Sequence, residues 1–240
     1  YSQFPSHNTV CVDGISSYPV MKSNHSFDLL SCFPASAEPG KAFTSVTYSN
    51  LYFREPESRA DQTRMMSIVT TGAETGYYVD VFRSRKEKGG DKMHDYFYHN
   101  LGQTLTLTAA DGSDLNLQST EELAFAGAHL YAYSYLYDKK VAATNKDVKA
   151  TFTIDMKDKD GDDIYMNLWM KGEPDREVFT ALAPMTEGLS RTPNMPYNIK
   201  EQPTLTFVAR QHGEAWNRPF VSIYEPSTKK EPSAIQSVSY

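Results

Sequence analysis

The sequence predicts an all-β protein, and specifically a large antiparallel two-sheet β-sandwich. Apolar and aromatic residues alternate with polar ones in many short segments, which is the two-residue period of a half-buried strand. Asp-Gly, Gly-Gly and proline signals separate these segments, and no segment shows the period of a long helix. A chain of 240 residues with 40% hydrophobic content is large enough to bury a core between two sheets. We therefore expect one domain over residues 1–240.

The most regular alternation flanks a charged middle segment. Tyr77 to Phe82 reads as one strand and Tyr96 to His99 opens another, with Arg83 to Lys92 between them. Gly89-Gly90 supplies backbone freedom for a turn, so the pattern predicts one long hairpin with a basic tip. The basic residues of that tip fit either a solvated turn or a contact with an anionic saccharide.

The remaining strands are predicted from the same period. Val10 and Val12 precede the turn signal Asp13-Gly14, and Leu105 to Leu117 reads as a compact hairpin around Asp111-Gly112. The stretch 174–197 is interrupted by prolines and is expected to be loop-rich. The other predicted strands are one within 15–41, Val46 to Phe53, Met65 to Val69, Leu130 to Tyr137, Thr151 to Ile154 and Ile164 to Met170 around Asp160-Gly161, Thr204 to Arg210, one within 213–226, and Ile235 to Tyr240.

Charge and composition exclude several classes of protein. The net charge of −6 provides no field that would attract nucleic acid, and no run of 18 apolar residues predicts a membrane span. The sequence contains no G-x-S-x-G motif and no Cys-His signature, which disfavours a hydrolase with a side-chain nucleophile. Sixteen Tyr and two Trp suit stacking on sugar rings, although most tyrosines of a β-protein cover core edges. Cys11 and Cys32 fit a disulfide or two buried thiols.

A few side chains are candidates for a binding site. His7 stands just before the first predicted strand, where an imidazole can bind a metal or make structural hydrogen bonds. Trp169 lies on the strand face opposite Leu168, and it either stacks on sugar or packs in the core. Strand alternation places His94 and His99 on opposite faces, so we expect structural roles for both. Arg64 fits a carboxylate partner or a solvated strand end, and the second is favoured for a lone arginine.

Several short motifs occur in a fixed order along the chain. They are H-N-T-V at 7–10, Q-x-R at 62–64, Y-x-D-x-F-R at 78–83, H-D-Y-x-x-H at 94–99, R-P-F at 218–220 and Y-E-P at 224–226. Together they resemble the C-terminal β-sandwich of the heparinase II/III-like polysaccharide lyases. The resemblance implies β-elimination on an acidic, uronate-containing polysaccharide or oligosaccharide, in a periplasmic or secreted protein.

The same resemblance implies which part of the protein carries the catalytic residues. In this family the tyrosine and histidine that move protons come largely from an N-terminal α/α-toroid, so no catalytic residue is expected in this chain. Its partner would be that helical domain of the same precursor, and the sandwich would supply a cleft wall. His7 would be a Zn²⁺ ligand, and Tyr1 and Arg83 would face substrate. The family's other two zinc ligands lie in patterns that this chain does not contain.

Two further classes stay open at this point. One is a non-catalytic carbohydrate-binding sandwich, in which tyrosine and tryptophan rings hold glycan. The other is a scaffold domain that packs against a helical partner and presents an apolar face to it. Glycan binding without an unsaturated product would indicate the first class, and absence of glycan binding would indicate the second.

Overall fold

A computed structural model describes residues 4–15, 26–35, 45–124, 128–156, 162–186 and 201–239. Apart from two 3₁₀ segments, Phe4–Ser6 and Ala128–Tyr135, its regular structure is all strand. In chain order the strands are β1 (Val10–Val12), β2 (Asp28–Phe33), β3 (Val46–Glu55), β4 (Ala60–Thr70), β5 (Gly76–Lys86), β6 (Met93–Asn100), β7 (Thr104–Ala109), β8 (Gln118–Ser119), β9 (Tyr137–Ala143), β10 (Val148–Ile154), β11 (Ile164–Met170), β12 (Arg176–Ala183), β13 (Thr204–His212) and β14 (Ala215–Thr228).

The strands form two antiparallel sheets that confirm the predicted β-sandwich. One sheet has the order β1-β6-β13-β12-β9-β8, and the other has the order β2-β3-β4-β5-β14-β11-β10-β7. Their facing sides bury one continuous apolar core, to which β13 contributes Leu205, Phe207 and Ala209 on one face, as the alternation predicts. A second apolar cluster covers the other face of the six-stranded sheet, where Val208 and Phe97 pack against Tyr133 of the Ala128–Tyr135 segment.

The eight-stranded sheet extends beyond the region that the smaller sheet covers. On its inner face, near β2 to β4, apolar side chains stay open to solvent: Phe27 is 61% exposed, Leu29 58% and Met66 42%. This uncovered inner face is an apolar surface open to solvent, and it forms one side of a groove.

Consecutive strands 3, 4 and 5 pair as predicted. Every residue from Val46 to Glu55 has a partner on β4, and β4 pairs with β5 from Ala60 to Thr70. β10 and β11 also form the predicted antiparallel pair, from Val148 opposite Met170 to Ile154 opposite Ile164. The turn signal between them, Asp160-Gly161, lies outside the described residues. Asp13 and Gly14 form the predicted turn with φ angles of 52° and 73°.

The predicted long hairpin around Arg83 to Lys92 is wrong. β5 pairs with β4 and β14 in the larger sheet, whereas β6 pairs with β1 and β13 in the smaller one. The charged segment is a corner between the sheets, closed by Asp91, which accepts a hydrogen bond from the Lys86 amide at 2.7 Å. Alternation places side chains on two faces but does not specify a pairing partner, which tertiary packing decides.

The hairpin predicted over Leu105 to Leu117 is also wrong. The Asp111-Gly112 turn forms, with the Gly112 amide donating to the Ala109 carbonyl at 2.9 Å. After the turn, however, the chain crosses to the other sheet as β8, and β7 pairs with β10. The Asp111-Gly112 signal therefore predicted the turn correctly but did not predict which strands pair.

Three other elements differ from the expectations. The strand expected over Leu130 to Tyr137 is wrong up to Tyr135, which ends the 3₁₀ segment Ala128–Tyr135, and Tyr137 begins β9; the 3₁₀ segment packs on a sheet whose strands are already paired. The stretch expected to be loop contains β12, whose Val178 and Phe179 are both buried because this central strand is covered on both faces. No strand forms over residues 235–239; the start of that segment is held by Glu225, which accepts from the Ala234 amide at 2.7 Å and from the Ile235 amide at 3.3 Å.

Candidate functional site

A groove of about 520 Å³ lies between the N-terminal segment and the uncovered inner face of the larger sheet. Phe4, His7 and Thr9 form the N-terminal side, and Phe27, Leu51, Phe53, Gln62, Arg64, Met66 and Phe82 form the sheet side. The sheet side follows from register, since Leu51, Arg64 and Phe82 are cross-strand neighbours on β3, β4 and β5. Side chains on one face of adjacent strands lie side by side, so these residues make one continuous wall.

Arg64 is the charged group of this wall. Its Nε and Nη2 donate to the two carboxylate oxygens of Asp80 at 3.0 and 2.7 Å, a bidentate ion pair. The guanidinium also lies over the Phe82 ring, 5.3 Å from its centroid. Burial opposes the charge of the guanidinium, but the interaction with Asp80 outweighs burial and raises the pKa of Arg64. The expectation of a solvated strand end is therefore wrong, and Arg64 brings a fixed positive charge to the groove.

Asp80 is fully buried and also accepts a hydrogen bond from Tyr96, which in turn contacts Tyr224. The Tyr96 hydroxyl donates to Asp80 Oδ2 at 2.8 Å and contacts the Tyr224 hydroxyl, and Ser222 lies beside both. Burial, and then the negative charge of Asp80, raise the pKa of Tyr96 far above its ordinary value. The phenol is therefore held neutral, and it serves as a hydrogen-bond donor to the carboxylate.

The N-terminal segment is attached to this network through Asn8. Arg64 Nη1 donates to the Asn8 carbonyl at 2.8 Å, and the Asn8 side chain accepts from the His99 amide at 2.7 Å. Asn8 thus connects strands of both sheets, and it fixes the backbone next to His7. Five of the sequence motifs converge here, because each of these residues comes from a different motif: Asn8, Arg64, Asp80, Tyr96 and Tyr224.

His7, the predicted zinc ligand, is exposed at the edge of the groove. Among the described residues no group of three His, Cys, Asp or Glu side chains is placed to hold a metal ion. A single imidazole does not retain zinc firmly, so the residues described here do not form a zinc site by themselves. Any such ion would need ligands from elsewhere in the protein.

The structure does not bring Arg83 to this groove. Phe82 faces the core, so Arg83 points to the opposite, outer face of the sheet. There its Nη1 donates to the carbonyl oxygen of Trp216. Tyr1, the other predicted substrate-facing residue, lies outside the described residues.

Trp169 does not form an open stacking platform. It lies on the outer face of β11 but is only 4% exposed, and the Lys149 ammonium sits 4.7 Å from its ring centroid. The expectation that its ring is presented to a sugar does not fit this burial. The more exposed aromatic ring pair is Phe27 and Phe53, at 4.8 Å between centroids, and both rings line the groove.

His94 and His99 lie on opposite faces of β6 and make structural contacts, as predicted. His94 Nε2 contacts Asp91 Oδ1 at 2.8 Å, and burial lowers the pKa of His94 despite this carboxylate. His99 contacts the Pro5 carbonyl through Nε2 at 2.6 Å and Thr206 through Nδ1 at 2.8 Å. Burial lowers the pKa of His99 to about 4, so its ring is neutral at neutral pH.

The cysteines do not pair with each other. Cys11 is a buried thiol in the second apolar cluster, and Cys32 is a half-buried thiol on β2. Burial, followed by the charge of Asp95, raises the pKa of Cys11 well above its ordinary value. Cys11 therefore behaves as a small apolar core residue.

Sequence reasoning missed two parts of the site. It did not place Phe27 and Phe53 in one wall, because the partner of β2 is decided by sheet assembly. It also did not bring Asp80, Tyr96 and Tyr224 together, since they come from three strands in two sheets. The sequence did contain one signal for this cluster. Asp80 and Phe82 are two residues apart and therefore share one strand face, so Asp80 is a charged residue among core neighbours.

Comparison with known proteins gives one informative match. The chain is 32% identical over 196 residues to an endo-acting ulvan lyase of Formosa agariphila. The matched part covers 80% of this chain and 22% of that lyase, so the chain spans about a fifth of its length. No protein-family model matches the chain. The similarity relates this β-sandwich to a polysaccharide lyase. In the described part, no helix is long and apolar enough to cross a membrane.

Proposed function

We propose that this chain is the β-sandwich part of a polysaccharide lyase that cleaves uronate-containing polysaccharide by β-elimination, and that the groove forms part of the cleft wall. The observation that carries the proposal is the groove itself. It combines the guanidinium of Arg64 with aromatic rings, and residues of five motifs build its support. Similarity to an ulvan lyase supports the reaction class.

The groove residues suit binding and electrostatic roles. β-Elimination removes a proton next to a carboxylate, and positive charge nearby stabilises the enolate-like charge that develops. Asp80 balances the charge of Arg64, so the contribution of Arg64 is a hydrogen-bond donor oriented by Asp80 at the groove surface, where 25% of its side chain stays exposed. The proton-moving groups are assigned to another part of the protein, since Tyr96 is buried and committed to Asp80.

The partner in this proposal is an N-terminal helical domain of the same precursor, as in the heparinase II/III-like lyases. The uncovered apolar inner face supports a partner of this kind, because contiguous exposed apolar surface typically marks an interface. His7 would then act as one zinc ligand at the boundary between the two parts, with the remaining ligands supplied by the helical part. A periplasmic or secreted location belongs to the same proposal.

The test uses the complete protein and ulvan as substrate. The rise in ultraviolet absorbance from the unsaturated product reports β-elimination, and metal analysis reports zinc. His7→Ala should lower both zinc content and turnover. His212→Ala is the matched control, because His212 is also exposed and lies at the far end of β13, beside Glu177. Unchanged zinc and turnover in His7→Ala would contradict the role of His7.

The 240-residue chain alone separates the lyase proposal from its alternatives. We expect no turnover from the isolated chain, because Tyr96 is buried and cannot exchange protons with a substrate. Full turnover by the isolated chain would overturn the division of roles proposed here. A carbohydrate-binding module remains the second candidate, favoured by the aromatic pair Phe27 and Phe53 in the groove. Glycan binding by the chain, with no product from the complete protein, would select that candidate.

A further inference from the structure

The outer face of the larger sheet carries a second group of arginines, on the side away from the groove. Arg83 and Arg85 both point to this face, because Phe82 before them and Ser84 between them are buried on the inner side. Both contact Trp216. Arg83 donates to its carbonyl oxygen, and the Arg85 guanidinium lies 4.3 Å from the centroid of its ring. Arg218 is not part of this group, because it donates to the carbonyls of Pro174 and His212, each at 3.3 Å, and His212 belongs to the smaller sheet.

Trp216 is presented by an irregularity in β14. The register with β5 shifts between Ala215 and Phe220, so residues 216–219 bulge out of the ladder. The Glu214 carboxylate accepts hydrogen bonds from the backbone amides of Trp216 and Asn217, which fixes the start of the bulge. Bulges of this kind re-aim side chains and are frequent at binding sites.

The two guanidiniums have donors left for an anionic group. Arg83 binds a carbonyl oxygen and Arg85 lies over an aromatic ring, and among the described residues neither forms an ion pair with a carboxylate, whereas Arg54, Arg64 and Arg210 each do. Two carboxylates lie nearby and keep their negative charge. Asp61, opposite Arg85, accepts from the Tyr52 hydroxyl at 2.7 Å, and Glu214 accepts from backbone amides.

We propose that Arg83, Arg85 and Trp216 form a binding site for an anionic saccharide on the outer face, separate from the groove. A guanidinium matches the planar, two-oxygen geometry of a carboxylate or a sulfate ester, and it does so more specifically than an ammonium group. Because the Arg85 guanidinium lies over one face of the half-buried Trp216 indole, the ring holds Arg85 in place and offers its remaining surface to a sugar ring. The site would bind a part of a long anionic polysaccharide that lies away from the groove, and it would keep the protein on that polysaccharide. It goes beyond the proposed lyase function, since binding requires no bond cleavage.

The test measures binding of the 240-residue chain to three polysaccharides by affinity electrophoresis. Polygalacturonate offers carboxylates, dextran sulfate offers sulfate esters, and dextran is neutral. We expect retardation by at least one charged polymer, weakening with added salt, and none by dextran. The charged polymer that binds identifies the group that the guanidiniums recognise. Absence of binding to both charged polymers would overturn the proposal.

Two variants locate the site. Arg85→Gln removes the charge, and Trp216→Leu removes the ring but keeps an apolar side chain. Each should weaken binding about tenfold, equivalent to about 1.4 kcal/mol for one lost contact to an anionic group. Lys140→Ala, an exposed position on β9 of the other sheet, removes the same charge and should bind as the parent does.

The outcomes separate this site from the groove and from loss of folding. Arg85 is exposed, so Arg85→Gln should keep the melting temperature of the parent, and weak binding by this variant then reports the site. Parent-like binding by both Arg85→Gln and Trp216→Leu would overturn the proposal. An equal loss in Lys140→Ala would also overturn it, because binding would then follow net charge alone. None of these results depends on lyase turnover, so failure of one proposal leaves the other standing.

Discussion

Several single residues place a charged side chain in a buried or half-buried position, and Arg64 is the clearest example. Its guanidinium satisfies Asp80, whose side chain is fully buried, and it also holds the backbone of the N-terminal segment. Lysine has one ammonium group and no planar fork, so it cannot make both carboxylate contacts and the carbonyl contact in the same geometry. The groove therefore depends on arginine specifically.

We predict that Arg64→Gln destabilises the fold by about 3 kcal/mol, because it leaves the buried Asp80 carboxylate without its ion-pair partner. Urea unfolding followed by circular dichroism measures the free energy of unfolding. Arg64→Gln combined with Asp80→Asn should recover part of the loss, since the double variant leaves no uncompensated charge. A loss below about 0.5 kcal/mol in Arg64→Gln, the usual range of surface changes, would contradict this account.

His99 predicts a dependence of stability on pH. Burial lowers the pKa of His99 from 6.5 to about 4, although the Pro5 carbonyl opposes the shift. Between these values the unfolded chain takes up a proton at this residue and the folded chain does not. The free energy of unfolding should therefore fall as pH drops through this window, by up to about 3 kcal/mol from this residue.

His99→Gln checks that origin. Glutamine can still donate to the Pro5 carbonyl but does not titrate, so its stability should change less between pH 6.5 and 4 than that of the parent. Burial also lowers the pKa of His94, so His94 adds to the loss of stability at low pH. Because His94 is present in both proteins, its contribution cancels when their slopes are compared. Equal slopes in parent and variant would show that His99 is not responsible.

At the scale of elements, polar contacts between strands fix corners that alternation alone leaves open. Asp13 is one example: its carboxylate accepts from the Lys86 ammonium at 2.9 Å and from the Lys92 amide at 2.8 Å. Burial raises the pKa of Asp13, but these donors outweigh burial and lower it overall. The turn after β1 is thereby attached to the corner between β5 and β6, so the two sheets are joined at that end.

The 3₁₀ segment Ala128–Tyr135 is held in a comparable way. The Tyr133 hydroxyl donates to Asp95 at 2.8 Å, and Asp95 also accepts hydrogen bonds from Nε and Nη2 of Arg210. Tyr133 is fully buried, and its ring meets Phe97 edge-on at 5.4 Å. One side chain therefore supplies both the apolar and the polar attachment of the segment to the sheet.

We predict that Tyr133→Phe destabilises the protein by about 1–2 kcal/mol, because Asp95 loses one of its buried donors while ring packing is kept. Tyr137→Phe is the matched control: this tyrosine is 48% exposed, and its change should lie within about 0.5 kcal/mol. Thermal unfolding of both variants measures the difference. Similar melting temperatures for the two variants would show that the Asp95 contact contributes little.

At the scale of the whole molecule, two sheets of unequal width explain where the functional surfaces lie. The smaller sheet covers part of the inner face of the larger one, and the groove forms where this cover ends. The arginines around Trp216 lie on the outer face, so the two proposed sites are on opposite sides of one sheet.

The amino-acid pattern alone predicts a protein built of strands, since a two-residue period appears wherever one face of a strand is buried. It also determined turns such as Asp13-Gly14, which need no partner strand. The motifs indicated the residues around the groove without indicating that they meet. Strand pairing was decided by the tertiary structure alone, so β5 and β6 entered different sheets and β12 was buried on both faces. The physical reason is that alternation records which face is buried, whereas contacts between distant strands depend on how the sheets stack.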